Sequence, residues 1–548
     1  MKKRTMWLGV LVFFIVSSIV NFIIIAPLFE KPRVKRVDIP ELPVLTDIDK
    51  ETQFETIAVE MSLPMKEAIT QAITHSLYRS NLRIKSPPRE ITYPFPETYS
   101  YIPGILTFRG NNLRNGASFG VSEIKRGRLR KIWTAETDTA IDVWGGSAGW
   151  TGQPVVIRWP MQVRNIMNID DKFKTNNGFT EVILGSLDGR IYFFELESGK
   201  HSRPPIVSGN PIKGSVSVDP RGYPLLYVGE GLNFDGRQKF KIFSLIDGEL
   251  LFETRSFEPM APRFWYGFDS SAIVNRNTDT LLVGGENGLF YAIRLNTLLD
   301  LSNGDISINP DVYKYAYFHS ADDYEYGIEN SPAVYKNLMY FADNSGTLQC
   351  IDLNIWQPVW IKDVDDDTDA TIVLEIQDGR PYLYTACEVD KQGAEGYSHI
   401  RKVDGLNGET VWKRSYRCVS TQYRSGGALA TPALGKGNME SLVIFTLSFY
   451  ERTGYGLMVA IDKSTGEEVW RRGMPYSWSS PVVFTDKNRK GYIIQADSAG
   501  NVALIDGISG KTLHKLNLKS NFQASPVFFE DYIIIAGRGR QIFALRVE

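Results

Sequence analysis

Cysteine and histidine are scarce: the chain has three cysteines (Cys350, Cys387, Cys418) and five histidines among 548 residues. So few, widely spaced thiols cannot build a disulfide framework, and no C-x-x-C pair offers a thiolate zinc site or haem attachment. The five scattered histidines argue against histidine-centred metal or acid–base chemistry. Charge of one sign is also missing, because 61 basic and 63 acidic residues leave a net −2. That balance sets aside a strongly basic nucleic-acid binder and a highly acidic solvating chain. There is no P-loop and no H-E-x-x-H pair, and the isolated Gly537-Arg538-Gly539 reads as a turn. Glycine, at 47 residues, and aromatics, at 12%, are plentiful. Together they suit many short strands joined by tight turns, not helix bundles.

The N-terminal end has a different character. Residues 6–29 (MWLGVLVFFIVSSIVNFIIIAPLF) carry no charge, and about 20 apolar residues suffice to cross a bilayer. A cleaved signal peptide would have an apolar core of about 7–15 residues ending at small residues. This run ends instead at Ala26-Pro27-Leu28-Phe29. Residues 1–29 are therefore expected to form an uncleaved transmembrane helix, a single-pass anchor in the cell membrane. Lys2, Lys3 and Arg4 precede it, while Lys31, Arg33, Lys35 and Arg36 follow it, so charge alone does not orient it. Residues 30–100 read as a linker. Its first part is rich in proline and charge and suits an extended stalk. Within 55–82, Pro64 fits a helix start, and Met65, Ala68, Ile69, Ala72 and Ile73 follow at helical spacing. A short spacer helix is expected there.

Beyond residue 130 the chain repeats. Short apolar strands opened by small residues, often with proline, begin at Gln153, Ser270, Ser331, Thr431, Ser480 and Ser525, with looser copies at Gly214 and Ala370. Each start leads to a β-rich strand and usually a glycine turn, as in GSLDGRIYFFELESGK (185–200) and ADSAGNVALIDGISGK (496–511). Eight such units at a period of roughly 40–60 residues are the signature of an all-β, eight-bladed β-propeller.

A second repeated element is sharper. AIDKSTGEEVW supplies Asp462, Gly466 and Trp470, and VDGLNGETVW supplies Asp404, Gly408 and Trp412. CIDLNIWQPVW keeps Asp352 and Trp360 but loses the glycine. The turn glycine permits a positive φ, and an outer-strand tryptophan can bury a large surface against the next blade. This A-x-D-x-x-T-G-x-x-x-W spacing resembles the tryptophan-docking repeat of pyrroloquinoline-quinone (PQQ) type eight-bladed propellers. That superfamily holds quinoprotein alcohol and glucose dehydrogenases and cofactor-free members such as the outer-membrane β-barrel assembly lipoprotein. The segment Thr107–Gly116 (TFRGNNLRNG) resembles a motif preceding many such propellers. The resemblance spans 101–548, places the propeller on the extracytoplasmic side, and leaves the activity open.

Ring closure follows from the residues. The eighth unit has room for three strands before Glu548, and residues 128–138 (RLRKIWTAETD), with Trp133, read as the outer strand that completes it. For chemistry, the resemblance implies a channel cofactor, calcium and a carboxylate base, often with a ring of two adjacent cysteines. No two cysteines here are adjacent. Asp269, Asn330 and Asp369, with Glu329 beside Asn330, stand just before three successive strand starts. They are candidate oxygen ligands for a hard cation, although such residues also cap turns routinely. The acidic run at 363–369 (DVDDDTD) has D-x-D-x-D spacing without an EF-hand's glycine or terminal glutamate, and reads as a solvated loop. Trp144, Trp150, Trp265, Tyr266 and Trp478 lie near strand starts and read as blade packing rather than a ligand platform.

The expectation is a membrane-anchored extracytoplasmic propeller serving as a binding or assembly scaffold in a bacterial envelope. It would contact the membrane through 6–29 and an envelope protein or cell-wall partner, with no nucleic acid and no cofactor. A PQQ- and calcium-dependent dehydrogenase of alcohols or sugars is the first alternative, and a sensor of a small envelope ligand the second.

Overall fold

The computed structural model describes residues 74–92, 94–139, 146–149, 152–231, 237–318 and 325–548. They form eight mainly antiparallel sheets of four to six strands, one for each sequence repeat and arranged as an eight-bladed propeller, and a ninth, two-stranded sheet of Leu298–Asp300 and Asp305–Ser307. The inner strands of blades 1 to 4 are Val155–Ile157, Ser217–Val218, Ile273–Asn275 and Ala333–Tyr335. Those of blades 5 to 8 are Val373–Gln377, Ala433–Leu434, Val482–Thr485 and Val527–Phe529. Position in the blade sets composition. Second strands such as Glu181–Gly185 are buried throughout, whereas the outer strands Leu250–Arg255 and Thr512–Asn517 have no buried residue. Sheets covered on both faces need continuous apolar runs, and only the rim can alternate.

A chain of hydroxyls fixes the inner ring. The backbone N–H of Ser271 donates to the Ser331 hydroxyl, Ser331 N–H to Thr371, and Thr371 N–H to Thr431. Thr431 N–H then donates to Ser480, and Ser480 N–H to Ser525, all at 2.9–3.1 Å. Gln153 N–H reaches Ser215 in the same way. These bonds are why seven of the eight repeats carry a small hydroxylated residue at this position, blade 1 having Gln153 instead. A buried N–H without a partner would cost about 1–3 kcal/mol, and the next blade supplies that partner.

At the rim, tryptophans fasten successive blades. The indole N–H of Trp360 donates to Gly405 O, that of Trp412 to Lys463 O, and that of Trp470 to Gly507 O. Each ring lies on the glycine turn of the next blade. A Cβ on Gly466 (φ +70°) would sit 2.6 Å from the Trp412 ring, so both the conformation and the contact require glycine. Asp462 and Asp404 hold such turns by accepting backbone N–H groups, and Asp352 does so for the turn without glycine. There Trp356 takes the left-handed position (φ +53°) and is itself buried against Phe290 and Tyr315 of blade 3. At the contact between blades 3 and 4 the aromatic thus comes from the turn of blade 4.

Blade 8 is completed by Leu129–Glu136, which pairs with Gln541–Val547 in register Gln541↔Glu136 to Val547↔Leu129. Trp133 on this strand donates to Leu196 O and packs on the Gly199 turn, joining blade 8 to blade 1. The motif Thr107–Gly116 threads the far ends of the inner strands. Leu106 O, Asn112 O and Leu113 O accept the N–H groups of Val218, Val334 and Leu374. Arg114, fully buried, donates to Pro332 O, Phe108 O and Ser271 O. This segment ties blades 2 to 5 together at that end.

The stretch expected to be a linker contributes to a blade. Thr74–Arg79 pairs with the outer strand Asp311–Phe318 of blade 3 and turns back as Leu82–Ile84. The helical spacing that begins at Pro64 therefore gives way to strand by Thr74, where Leu77 is buried and the residues beside it alternate toward solvent. Among the described residues, the α-helices are Met161–Ile166 and Asp171–Lys174, and no helix is long and apolar enough to cross a membrane. The uncharged run 6–29 and the expected helix from 65 to 73 lie outside the described residues.

Candidate functional site

Because the hydroxyl bonds set the register of the inner strands, residues two positions before each hydroxyl come to one level. From blade 2 to blade 8 these are Lys213, Asp269, Glu329, Asp369, Leu429, Trp478 and Gln523. All but Asp269 line a cavity of about 500 Å³ at that end of the ring, and Asp269 sits against it, ion-paired to Lys213. The hairpins between second and third strands add Leu187, Glu286, Glu388 and Arg538 to the same cavity.

Six carboxyl groups form two nests there. In the first, oxygens of Asp269, Glu286 and Glu329 all lie within 4.8 Å of one another. The Lys213 ammonium pairs with Asp269 and stands 3.0 Å from Glu329 Oε2, while the Asn344 amide donates to Glu329 Oε1 at 3.0 Å. Burial pushes Asp269 up to about 6 even with Lys213 beside it. Burial, then the neighbouring Asp269 and Glu329, raise Glu286 well above the usual carboxylate range. Burial also opposes the charge on Glu329, but Lys213 and Asn344 outweigh it and hold its pKa below the ordinary value.

The second nest gathers Asp367, Asp369 and Glu388, again within 4.8 Å. Their relative exposures are 8%, 9% and 2%. Asp367 Oδ1, Asp369 Oδ1 and Glu388 Oε1 have no hydrogen-bond partner. Burial first, and the mutual repulsion of these acids second, lift Asp367 and Glu388 far above the carboxylate range. Asp369 is raised to about 8 by burial and by Glu329, and shares a hydrogen bond with Glu388. Carboxyls so placed hold protons at neutral pH until a cation displaces them.

The structure corrects two readings of the sequence. Asn330 is not in either nest: its amide donates to Ala342 O and Thr368 O, fastening blade 4 to blade 5, and its oxygen accepts Ala342 N–H. The hydroxyl register aligns Thr371 with Ser331, so the counterpart of Asp269 and Asp369 is Glu329. The acidic run is also not simply a solvated loop. Asp365 stays 40% exposed, paired with Arg401 and Lys413, and Asp366 accepts the N–H groups of Asp390 and Lys391. Asp367 and Asp369 turn inward. Sequence reading misses Lys213, Glu286, Asp367 and Glu388. Lys213 is reachable by counting two back from each hydroxyl, whereas the hairpin acids carry no periodic signal.

The other wall has opposite character. Arg424 and Arg538 line it, with Arg424 Nη1 donating to the Tyr476 hydroxyl at 3.2 Å and Arg538 Nη1 to Gln523 Oε1 at 3.1 Å. The half-buried Trp478 adds an indole N–H with no acceptor. Trp265, 39% exposed, also lines the cavity, and the Arg263 guanidinium lies 5.2 Å from its ring. Neither ring is simple blade packing. Tyr266 does not line the cavity, and Trp144 and Trp150 lie outside the described residues.

Comparison with known proteins gives the class: an eight-bladed propeller similar to the PQQ-like and BamB-type proteins. Residues 396–548 match the family described as outer membrane protein assembly factor BamB. This is the part of the chain that holds the two intact Asp–Gly–Trp repeats. The fold is similar to that of a quinohemoprotein alcohol dehydrogenase from Comamonas testosteroni, with TM-score 0.54 and 11% identity over 81% of this chain and 80% of that one. BamB from Moraxella catarrhalis aligns with TM-score 0.45 and 16% identity over 76% of this chain and 99% of its own. No curated protein sequence matches the chain.

Proposed function

We propose that the chain is a binding propeller of the bacterial envelope, held at the membrane by residues 6–29, whose cavity captures a cation-bearing ligand on the extracytoplasmic side. The observation that carries this reading is the second nest, with three buried carboxyl oxygens lacking any partner. Leaving such groups unpaired is costly unless a ligand completes them. The family match and the uncharged N-terminal run support the envelope setting.

The residues of the acidic wall fit a hard cation, and that wall does not fit the quinone's carboxylates. Oxygen donors at this spacing suit calcium or an ammonium group. A divalent ion in the second nest would neutralise two of its three carboxylates, and Lys213 neutralises one charge in the first. That wall therefore offers no positive surplus to a tricarboxylate such as PQQ, and the three cysteines are separate, free and buried. A binding role needs neither group.

To test the reading, the full chain is titrated with calcium and with a primary amine in weak buffer near pH 7.5, and released protons are measured. Proton release that disappears in Glu388→Gln supports it. After incubation with PQQ and calcium, a bound quinone spectrum with alcohol- or sugar-dependent dye reduction, lost in Asp369→Ala, would overturn it in favour of a dehydrogenase.

A further inference from the structure

The two nests bear on what kind of cation the cavity takes. They have the same make-up, three carboxyls within 4.8 Å, and come from adjacent parts of the ring. In the first nest the chain itself shows an occupant: the primary ammonium of Lys213, bound to Asp269 and Glu329. No lysine or arginine side chain pairs with Asp367, Asp369 or Glu388 among the described residues, and one oxygen of each has no partner. Across the cavity stand Arg424, Arg538 and the open indole N–H of Trp478. The acids come from blades 3 to 5, and the cationic and donor groups from the blade 5–6 connection and from blades 7 and 8. The Arg424 segment joins blade 5 through the pairing of Gly427 with Glu388, while Trp478 and Arg538 lie two and three blades further round the ring.

We infer that the cavity binds a zwitterionic ligand of the amino-acid or short-peptide class. Its primary ammonium enters the nest of Asp367, Asp369 and Glu388, and its carboxylate faces Arg424, Arg538 and Trp478. This rests on the cation-binding reading above and narrows it. An ammonium group reproduces in the second nest what Lys213 does in the first. A bare divalent ion would satisfy the nest but leave the arginine wall unused. A guanidinium pair matches a carboxylate in charge and geometry, and a cavity of about 500 Å³ is in the range for a small organic ligand. Burial raises all three acids of the nest, so ammonium binding displaces protons and strengthens with pH.

Calorimetry of the full chain at pH 8 tests this with one tripeptide, glycyl-glycyl-lysine, and two blocked forms. One is amidated at its C-terminus, and the other is acetylated at both amines. Calcium chloride is a fourth arm. The free tripeptide is expected to bind at least tenfold more tightly than either blocked form. Glu388→Gln should abolish its binding, and the exposed Arg424→Gln should weaken it to the level of the amidated form. Equal binding of the free and amidated forms, or calcium binding that the tripeptide fails to displace, overturns the zwitterion inference while leaving a cation-binding cavity. Silence in all four arms, with the circular dichroism of a folded protein, overturns both.

Discussion

The two carboxyl nests differ in one component. The first holds an ammonium donated by its own chain, and the second does not. In the first, Lys213 keeps Glu329 ionised despite burial and Asp269 rises only to about 6, leaving Glu286 as the one acid there that stands well above the carboxylate range. In the second, Asp369 rises to about 8, and Asp367 and Glu388 stand far above the carboxylate range. A buried cluster of like charge can thus be resolved by an internal counter-charge or by protons. The proton-resolved cluster is the one that a ligand can still change.

Removing the internal cation should have the largest effect. Lys213→Met leaves Asp269 and Glu329 buried without their partner, and breaking such a pair costs about 3–5 kcal/mol. The loss should be greatest near pH 8 and shrink toward pH 5, where protons take over the ammonium's role. Urea denaturation at both pH values measures it. An equal loss at both would mean that packing of the lysine stem, not its charge, holds the nest.

The second nest should respond with the opposite sign. Burial and Glu329 raise the folded pKa of Asp369 to about 8, far from the ordinary aspartate value that it regains on unfolding. Its contribution to stability is complete below the unfolded pKa and is lost as pH rises through the folded one. Asp369→Asn removes that penalty, so the ligand-free protein should gain on the order of 1–3 kcal/mol at pH 8. Each tenfold change in an acid's ionisation constant is worth about 1.4 kcal/mol, and neighbouring acids that re-share the proton reduce the total. Near pH 4 the gain should vanish. Stability profiles of the two proteins from pH 4 to 8 decide it, and parallel profiles would place the ionisation elsewhere.

The same contrast shows how far the sequence can be read. Strand starts, glycine turns and Trp360, Trp412 and Trp470 are local and periodic, so the eight blades and their fastening are legible in it. The closing strand with Trp133 follows from the missing fourth strand. The site is legible only in part. Asp269 and Asp369 stand out, but the apolar pattern places a strand start at Ala370 where Thr371 holds the ring hydroxyl, and a one-residue slip exchanges Glu329 for Asn330. Glu286 and Glu388 reach the cavity from hairpins whose direction depends on the whole ring, and no spacing encodes that. Thr74–Ile84 escapes for a similar reason, since its partner strand, Asp311–Phe318, lies far along the chain in blade 3.

The smallest effect should come from Asp365, which separates position in the sequence from position in the fold. It belongs to the same acidic run as Asp367 and Asp369, yet its carboxylate is 40% exposed and meets Arg401, Lys413 and, at 3.9 Å, His399. Burial opposes its charge, but Lys413 and Arg401 more than compensate and hold its pKa below the usual carboxylate value. Its stabilisation is therefore present above the unfolded pKa and lost as pH falls through the folded one, the reverse of Asp369. An exposed pair of this kind is worth about 0–1 kcal/mol. Asp365→Asn should cost no more than that at pH 7, leave cation and amine binding unchanged, and lose its effect in strong acid, once pH has fallen through the depressed folded value. If it instead weakened binding as much as Glu388→Gln, the acidic run would act as one unit, and the division between a surface ion pair and an inward-facing nest would fail.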